Sequence, residues 1–438
     1  MSLKTVKFGG SSLADAEQIR KVADIIHADD GRRFVVPSAP GKRFDGDTKI
    51  TDLLYLCHTH ITQGVPFDDV YNIICKRYLD IARELGIVLN LSPYLKEIRE
   101  NITQGASADY IASRGEYLNG LIMADLLNFP FVDPADFISF DAQGQFDGER
   151  THNLLGAELR KLGRAVVPGF YGALPDGSIK TFSRGGSDIT GAIVARAADV
   201  SLYENWTDVS GFLMTDPRIV ENPKPIERIT YRELRELSYM GATVLHEDAI
   251  FPVRQAGIPI AIKNTNRPQD SGTLIVNGYD APPAPVTGIA GRKGFTVIQV
   301  EKAMMNQELG FGRRLLGVLE DNHVSFEHMP SGIDTLSVVI SDQQLDNKLE
   351  TLLAGIRNRC APDHMDVHRD MALIATVGTG MSKRLGVSAT LFGALYQAGV
   401  NVRMIDQGSS EMNIIVGVDI GDFDRALNAI YQAFAGAT

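Results

Sequence analysis

Along the first 280 or so residues, short apolar runs alternate with stretches in which apolar residues recur every three or four positions. The runs Phe34–Val36, Ala165–Pro168, Val200–Trp206 and Pro259–Ile262 read as buried strands. This rhythm predicts a mainly parallel sheet covered by helices. From Pro66 to Leu127 the pattern stays helical, with Tyr71, Ile74, Tyr78 and Ile81 on one face, so a helical insertion able to carry substrate contacts is expected there. Ala281-Pro282-Pro283-Ala284-Pro285 breaks the rhythm. Successive prolines fix φ and remove donors, which makes this segment a stiff linker and the clearest boundary.

Beyond the linker the pattern repeats itself. Gly310, Gly317 and Val324 return as Gly386, Gly393 and Val400, a constant offset of 76 (386 − 310). Met305 corresponds to Met381, and Val338-Val339-Ile340 to Ile414-Ile415-Val416. Each copy reads as strand, loop, glycine-started helix, strand, strand, helix, a βαββαβ module of about 70 residues. Two such modules predict sheets paired side by side, with free loops for a small ligand.

The chemistry concentrates near the N-terminus. Thr5-Val6-Lys7-Phe8-Gly9-Gly10-Ser11-Ser12 predicts a strand entering a glycine corner, followed by a helix over Ala14–Ile26. Paired glycines let backbone N–H groups approach an anion, the helix start adds a positive end, and Lys7 adds a full charge. The spacing is neither the dinucleotide fingerprint nor the Walker loop. A second corner, Arg184-Gly185-Gly186-Ser187-Asp188, opens a helix expected over Ile189–Ala198. Arg184 suits bidentate recognition of a small carboxylic acid, and Asp188, close to Lys7 in such a site, would hold the lysine. Ser113-Arg114-Gly115-Glu116 is read at the head of a helix running to Leu127, with Glu116 either complementing the helix dipole or facing an ammonium group. Thr51 starts another helix as N-cap or as hydroxyl donor. The polar stretch Trp206 to Arg218 follows a strand end, where α/β sheets bind nucleotides, and Arg218 could neutralise phosphate there. His246 reads as structural.

Composition narrows the classes. The chain has 438 residues, 44% apolar and 22% charged, enough for roughly two to four domains. A net charge of −11 and a pI near 5.4 argue against nucleic acid, so cations for an acidic ligand must be concentrated locally, as at Lys7 and Arg184. No apolar run suits a membrane span, no leader is evident, and Cys57, Cys75 and Cys360 have no metal spacing, so a reducing cytoplasm and no protein-held metal are expected.

Taken together, the Lys7–Ser12, Ser113–Glu116 and Arg184–Asp188 motifs, Thr207-Asp208 with Thr215-Asp216-Pro217-Arg218, and Leu237–Ala242 resemble aspartate kinases, in that family's order and over the whole chain. The resemblance implies an α/β fold. An amino-acid-kinase (carbamate-kinase-like) three-layer αβα domain, 1–280, would be followed by two ferredoxin-like βαββαβ ACT domains, 281–369 and 370–438. A strand near 286–290 would join the second ACT sheet. It implies transfer of phosphate from ATP to L-aspartate, with Mg²⁺ held mainly through ATP phosphates, as the first step of lysine, threonine and methionine synthesis. Lys7, Asp188 and Arg184 would be catalytic. Lys7, Gly9, Gly10, Ser11, Thr207, Asp208, Leu213 and Arg218 would face ATP, although relatives often carry Tyr at the place of Leu213. Thr51, Glu116, Arg184, Gly185, Gly186 and Ser187 would hold aspartate. Lysine and/or threonine would inhibit through Met305, Gly310, Glu327, Ser331 and Asp334, with acidic Glu327 and Asp334 suited to a cationic side chain. ACT pairing implies a homodimer or a tetramer. An amino-acid sensor with an inactive kinase domain is the alternative, as is another amino-acid kinase.

Overall fold

The computed structural model describes residues 2–183, 185–242, 250–280, 282 and 284–436. The chain forms two compact units: 1–212, 225–231 and 244–279 make the first, and 213–224, 232–243 and 280–438 the second.

The first unit is built on a seven-stranded sheet. Its spatial order is Ala165–Val166, Arg32–Pro37, Lys4–Phe8, Leu202–Thr207, Ile260–Asn264, Thr273–Val276 and Arg228–Thr230. The first five run parallel, and only Thr273–Val276 pairs antiparallel with Ile260–Asn264. Thr5 to Phe8 are all buried although successive side chains face opposite ways, so both faces of the central strand are covered. Buried Glu204 accepts from Arg32 at 2.8 Å and Lys4 at 3.2 Å, and from the Trp206 indole N–H at 2.9 Å, so its charge is paired within the sheet. The insertion resolves into helices Asp68–Leu85, Ser92–Thr103 and Ala108–Leu127.

The helices after the two glycine corners start elsewhere than the sequence predicts. The helix after the first corner runs Ala16–His27, because a 3₁₀ turn occupies Gly10–Leu13 and the Asp15 carboxylate caps the helix by accepting from the Gln18 N–H. The Asp15 cap thus takes up part of the positive helix end, and within the corner the Gly9 N–H already donates to the Trp206 carbonyl at 3.0 Å, which leaves the Gly10 and Ser11 amides to face an anion. After the second corner the helix begins earlier, at Gly186, and runs to Ala197. Gly185 precedes it in a left-handed conformation (φ 65°), which a side chain would strain.

The second unit holds a five-stranded sheet in the order Thr335–Ser341, Gly288–Glu301, His364–Val377, Asn413–Asp419, Met404–Asp406. Two 14-residue strands form its spine. Gly288 to Lys293 pair with Val377 to Ala372, while Val297 to Glu301 pair with His368 to His364 and with Val339 to Thr335. One long strand thus serves both repeats. The helices Phe311–Asp321 and Val387–Gln397 stand 76 residues apart, each preceded by a glycine at positive φ, Gly310 at 80° and Gly386 at 89°. The second strand of the first repeat survives only as bridges, His328 to Val339 and Ser331 to Leu336. Val220, with Met214 and Ile219, packs into the core of the second repeat, which explains why that segment belongs to this unit.

Candidate active site

Lys7 stands one residue before the end of the central strand, beside Asn205 in register on the neighbouring strand. Its ammonium is 2.5 Å from the Asp188 carboxylate, which comes from the first turn of the helix opened by the second glycine corner. The Asn205 side chain closes the arrangement, donating to Asp188 at 2.8 Å and approaching the Lys7 ammonium at 3.5 Å through its oxygen. Lys7 and Asn205 are buried, so the lysine rotamer is fixed from two sides. The two corners are thereby joined through one salt bridge. Asn205 was not singled out from the sequence; an Asn inside a strand otherwise rich in aromatic residues was the available signal.

A cavity of about 600 Å³ opens beside this group. Gly9, Gly10 and Ser11 form one part of its wall, and Ser187, Thr207 and Asp208 another. Thr51 and Glu116 line it as well. Lys49, not Thr51, occupies the N-cap position of the helix Ile50–Thr62, so the Thr51 hydroxyl is not used as a cap. Glu116 does not sit in a first helical turn. Ser107 caps that helix through the Tyr110 N–H, and Glu116 lies more than two turns in. Only 4% of Glu116 is exposed and its Oε2 finds no hydrogen-bond partner, although it borders the cavity. Burial pushes its carboxyl up to about 8, against weaker opposing contributions from the Ala39 N–H, its own backbone and the Arg114 charge. Arg114 itself lies over the rings of Tyr110 and Tyr117 of its own helix, 4.5 Å from each centroid, and over Tyr171 of a separate strand at 5.2 Å.

The loop after Leu202–Thr207 is tied down by Asn264, which donates to the Asp208 carbonyl at 3.2 Å and the Ser210 hydroxyl at 3.0 Å. Thr265 donates its N–H to the Thr207 carbonyl at 2.9 Å and exchanges a 2.8 Å hydrogen bond with Ser12, linking this loop to the first corner. Leu213 and Arg218 belong to the second unit and are not among the lining residues; Arg218 closes on Asp216, donating to it through backbone and guanidinium. Arg184 and His246 lie outside the described residues. Among the described residues no group of three His, Cys, Asp or Glu could hold a metal ion.

In the second unit Met305 is a core residue of the first repeat, and Gly310 starts its helix. Glu327 accepts from the Tyr239 hydroxyl, Ser331 bridges to Leu336, and the Asp334 carbonyl accepts from the Lys302 N–H at 2.8 Å.

These features agree with the comparisons. Residues 3–264 match the amino acid kinase family, and residues 374–434 match an ACT domain. Aspartokinase 3 of Bacillus subtilis is 39% identical over 99% of this chain and 98% of its own. The crystal structure of Clostridium acetobutylicum aspartate kinase is 53% identical, covers both chains fully and superposes with a TM-score of 0.93. Escherichia coli aspartokinase III is 26% identical; its structure with aspartate and ADP (R-state) gives a TM-score of 0.72 and that with lysine and aspartate (T-state) 0.75, each covering 99% of this chain. A sheet-borne lysine between two glycine corners, joined to an ACT repeat, defines an amino-acid kinase with a regulatory half. Within that class the chain belongs to the aspartokinase family.

Proposed function

We propose that this chain transfers the γ-phosphate of ATP to the side-chain carboxylate of L-aspartate, giving ADP and 4-phospho-L-aspartate. The observation that carries this reading is the Lys7–Asp188–Asn205 group standing between two glycine corners, beside a cavity that contains an unpaired buried carboxylate. An aspartate side chain, with a pKa of about 3.9, is already ionised at neutral pH and attacks the γ-phosphorus without a general base. As the new C–O–P linkage forms, the bond between the γ-phosphorus and the β,γ-bridging oxygen breaks and ADP leaves with that oxygen's electrons. No proton need move. Lys7 and the amides of Gly10 and Ser11 would balance the charge spread over the equatorial oxygens, with Gly9 leaving room for the phosphate to approach, an electrostatic contribution that is worth most in a site closed to water.

Glu116 would accept the substrate ammonium, Thr51 and Ser187 would offer hydroxyls, and Gly185 with Gly186 would shape the corner. Arg184 would hold a substrate carboxylate. Thr207 and Asp208 would meet the nucleotide. A Mg²⁺ carried on the ATP phosphates would fit this cavity, with Asp208 among the carboxylates that line it. That ion would supply charge neutralisation on the phosphate oxygens.

The ACT repeat supports feedback inhibition by lysine and/or threonine, and a homodimer formed through the same unit. A hydroxamate assay with ATP and aspartate tests the reading. Product is expected with aspartate, and less of it as lysine or threonine is titrated in. Product with acetylglutamate or glutamate instead would move the chain to another amino-acid kinase activity. No product with any of them would make it a sensor, and insensitivity to every amino acid would remove the regulatory half of the reading.

A further inference from the structure

The cavity has a wall that the roles above leave unused. Residues 38–49 form a loop whose Lys42, Arg43 and Lys49 line the cavity beside the first glycine corner. Lys42 and Lys49 are exposed, and neither has an ion-pair partner among the described residues. The loop is nevertheless held closely. The Gly41 N–H donates to the Gly10 carbonyl at 2.8 Å, and a Cβ at Gly41 would come within 2.6 Å of the Gly10 carbonyl carbon. At its start the Ser38 carbonyl accepts from the Asn119 amide at 2.7 Å.

What fixes the rest is a buried arginine from the helical insertion. Arg77, 5% exposed, comes from the helix Asp68–Leu85. It donates to both oxygens of Asp47, at 3.0 and 2.8 Å, to the Gly41 carbonyl at 3.3 Å and to the Ala14 carbonyl at 3.4 Å. Arg43 meets the same Asp47 carboxylate from the other side, at 2.9 and 3.1 Å. One guanidinium therefore ties the far end of the loop, its closest approach to the corner, and the exit of the corner itself. A planar fork with five donors can satisfy such a set, whereas an ammonium offers no matching plane. Arg77 lies 63 residues along the chain from Ala14, and all of these partners sit in or beside the loop and the glycine corner rather than on its own helix.

We propose that Arg77 is a positioning residue for phosphoryl transfer, locking the 38–49 loop onto the glycine corner so that Lys42 and Lys49 face the phosphate chain. This rests on the aspartate-kinase reading above and adds to it the residues that shape the polyphosphate side of the cleft. Lys42 and Lys49 would touch the nucleotide phosphates; Arg77 and Asp47 would act only through the loop.

The test is a double-mutant cycle on the full chain between Arg77→Met and the paired change Lys42→Met with Lys49→Met, both read by kcat and by KM for ATP and aspartate. Displacing charged groups by about 1 Å is expected to lower kcat on the order of 10²-fold, with KM for aspartate changing less. If Arg77 acts through those lysines, its replacement costs little further once they are gone, and the effects fall well short of additive. Full additivity would overturn the proposal. Limited trypsin digestion without ligands gives a readout independent of activity. Cleavage at Arg43 should be slow in the unaltered chain and in Asp47→Glu, and fast in Arg77→Met. Equal rates in all three would overturn it as well. An unaltered chain that makes no aspartyl hydroxamate while still showing the trypsin difference would sink the substrate assignment and leave the loop lock standing.

Discussion

Replacing Glu116 by Gln gives the sharpest test of how the substrate is held. The carboxyl, raised to about 8, is close to nine-tenths protonated at pH 7 in the empty site, because the ionised fraction is about 1/(1 + 10). An ammonium group binds the ionised form, so the apparent affinity for aspartate is reduced by that fraction. KM for aspartate should therefore fall about tenfold per pH unit up to about pH 8 and flatten above it, with one proton released on binding. The Gln side chain cannot ionise, which removes the slope. It also weakens a charge-assisted hydrogen bond worth about 1.5–3 kcal/mol, so KM should rise about 10- to 100-fold at the plateau, with kcat much less affected. Stability gives the second reading. A carboxyl raised in the folded state binds its proton more tightly than in the unfolded chain, so its contribution falls as pH rises from about 4.5 to about 8, at up to ~1.4 kcal/mol per unit. Glu116→Gln should therefore resist alkaline unfolding better than the unaltered chain. The measurements are initial rates against aspartate at several pH values and urea unfolding at about pH 6 and about pH 9. A Gln variant that keeps the KM slope would assign that titration to another group and refute the reasoning.

Lys7→Ala should lower kcat about 10²-fold or more, because the lost contact is strongest in the transition state, and near-normal turnover would take Lys7 out of the chemistry. Arg184→Ala should chiefly raise KM for aspartate; an unchanged KM contradicts a carboxylate-binding role. Gly41→Ala drives a Cβ into backbone at 2.6 Å, so the corner must shift and kcat should drop on the order of 10²-fold, as steady-state rates would reveal. In the second unit, fully buried Glu233 accepts from the Thr379 N–H at 2.7 Å and from the Thr379 and Thr287 hydroxyls at 2.9 and 2.8 Å. Glu233→Gln puts an amide among those donors and should cost about 1–3 kcal/mol, seen as a lower apparent Tm; an unchanged Tm contradicts the importance of the cluster.

The parts of the site that could be read from the sequence were those written in backbone chemistry. Two glycine corners, each after an apolar run, announce themselves locally, and the 76-residue repeat is visible because Gly310 and Gly386 must both adopt positive φ. Helix boundaries were harder. The helix carrying Glu116 is buried on nearly every side, so it lacks the apolar stripe that would place its start at Ala108. The early helix starts two residues later than the apolar spacing predicts, because its start is set by the Asp15 side chain accepting from the Gln18 N–H, which apolar spacing does not register. Asn205, Asp47 and Arg77 gave no local sign. Their meaning comes from partners on other elements, 17 residues away for Asn205 with Asp188 and 30 for Arg77 with Asp47. The segment around Val220 was grouped with the first half of the chain, since the apolar partners it packs against lie far downstream.

The shared spine of the second unit limits how its regulatory half can be exchanged. Since Gly288 to Lys293 complete the sheet of the second repeat and Val297 to Glu301 belong to the first, the two repeats are interleaved along the polypeptide. A chimera joined anywhere between them would leave each recipient sheet with one borrowed strand. Grafting this sensor onto another kinase would require moving both repeats as one inheritance, together with the 213–224 and 232–243 segments that belong to the same unit.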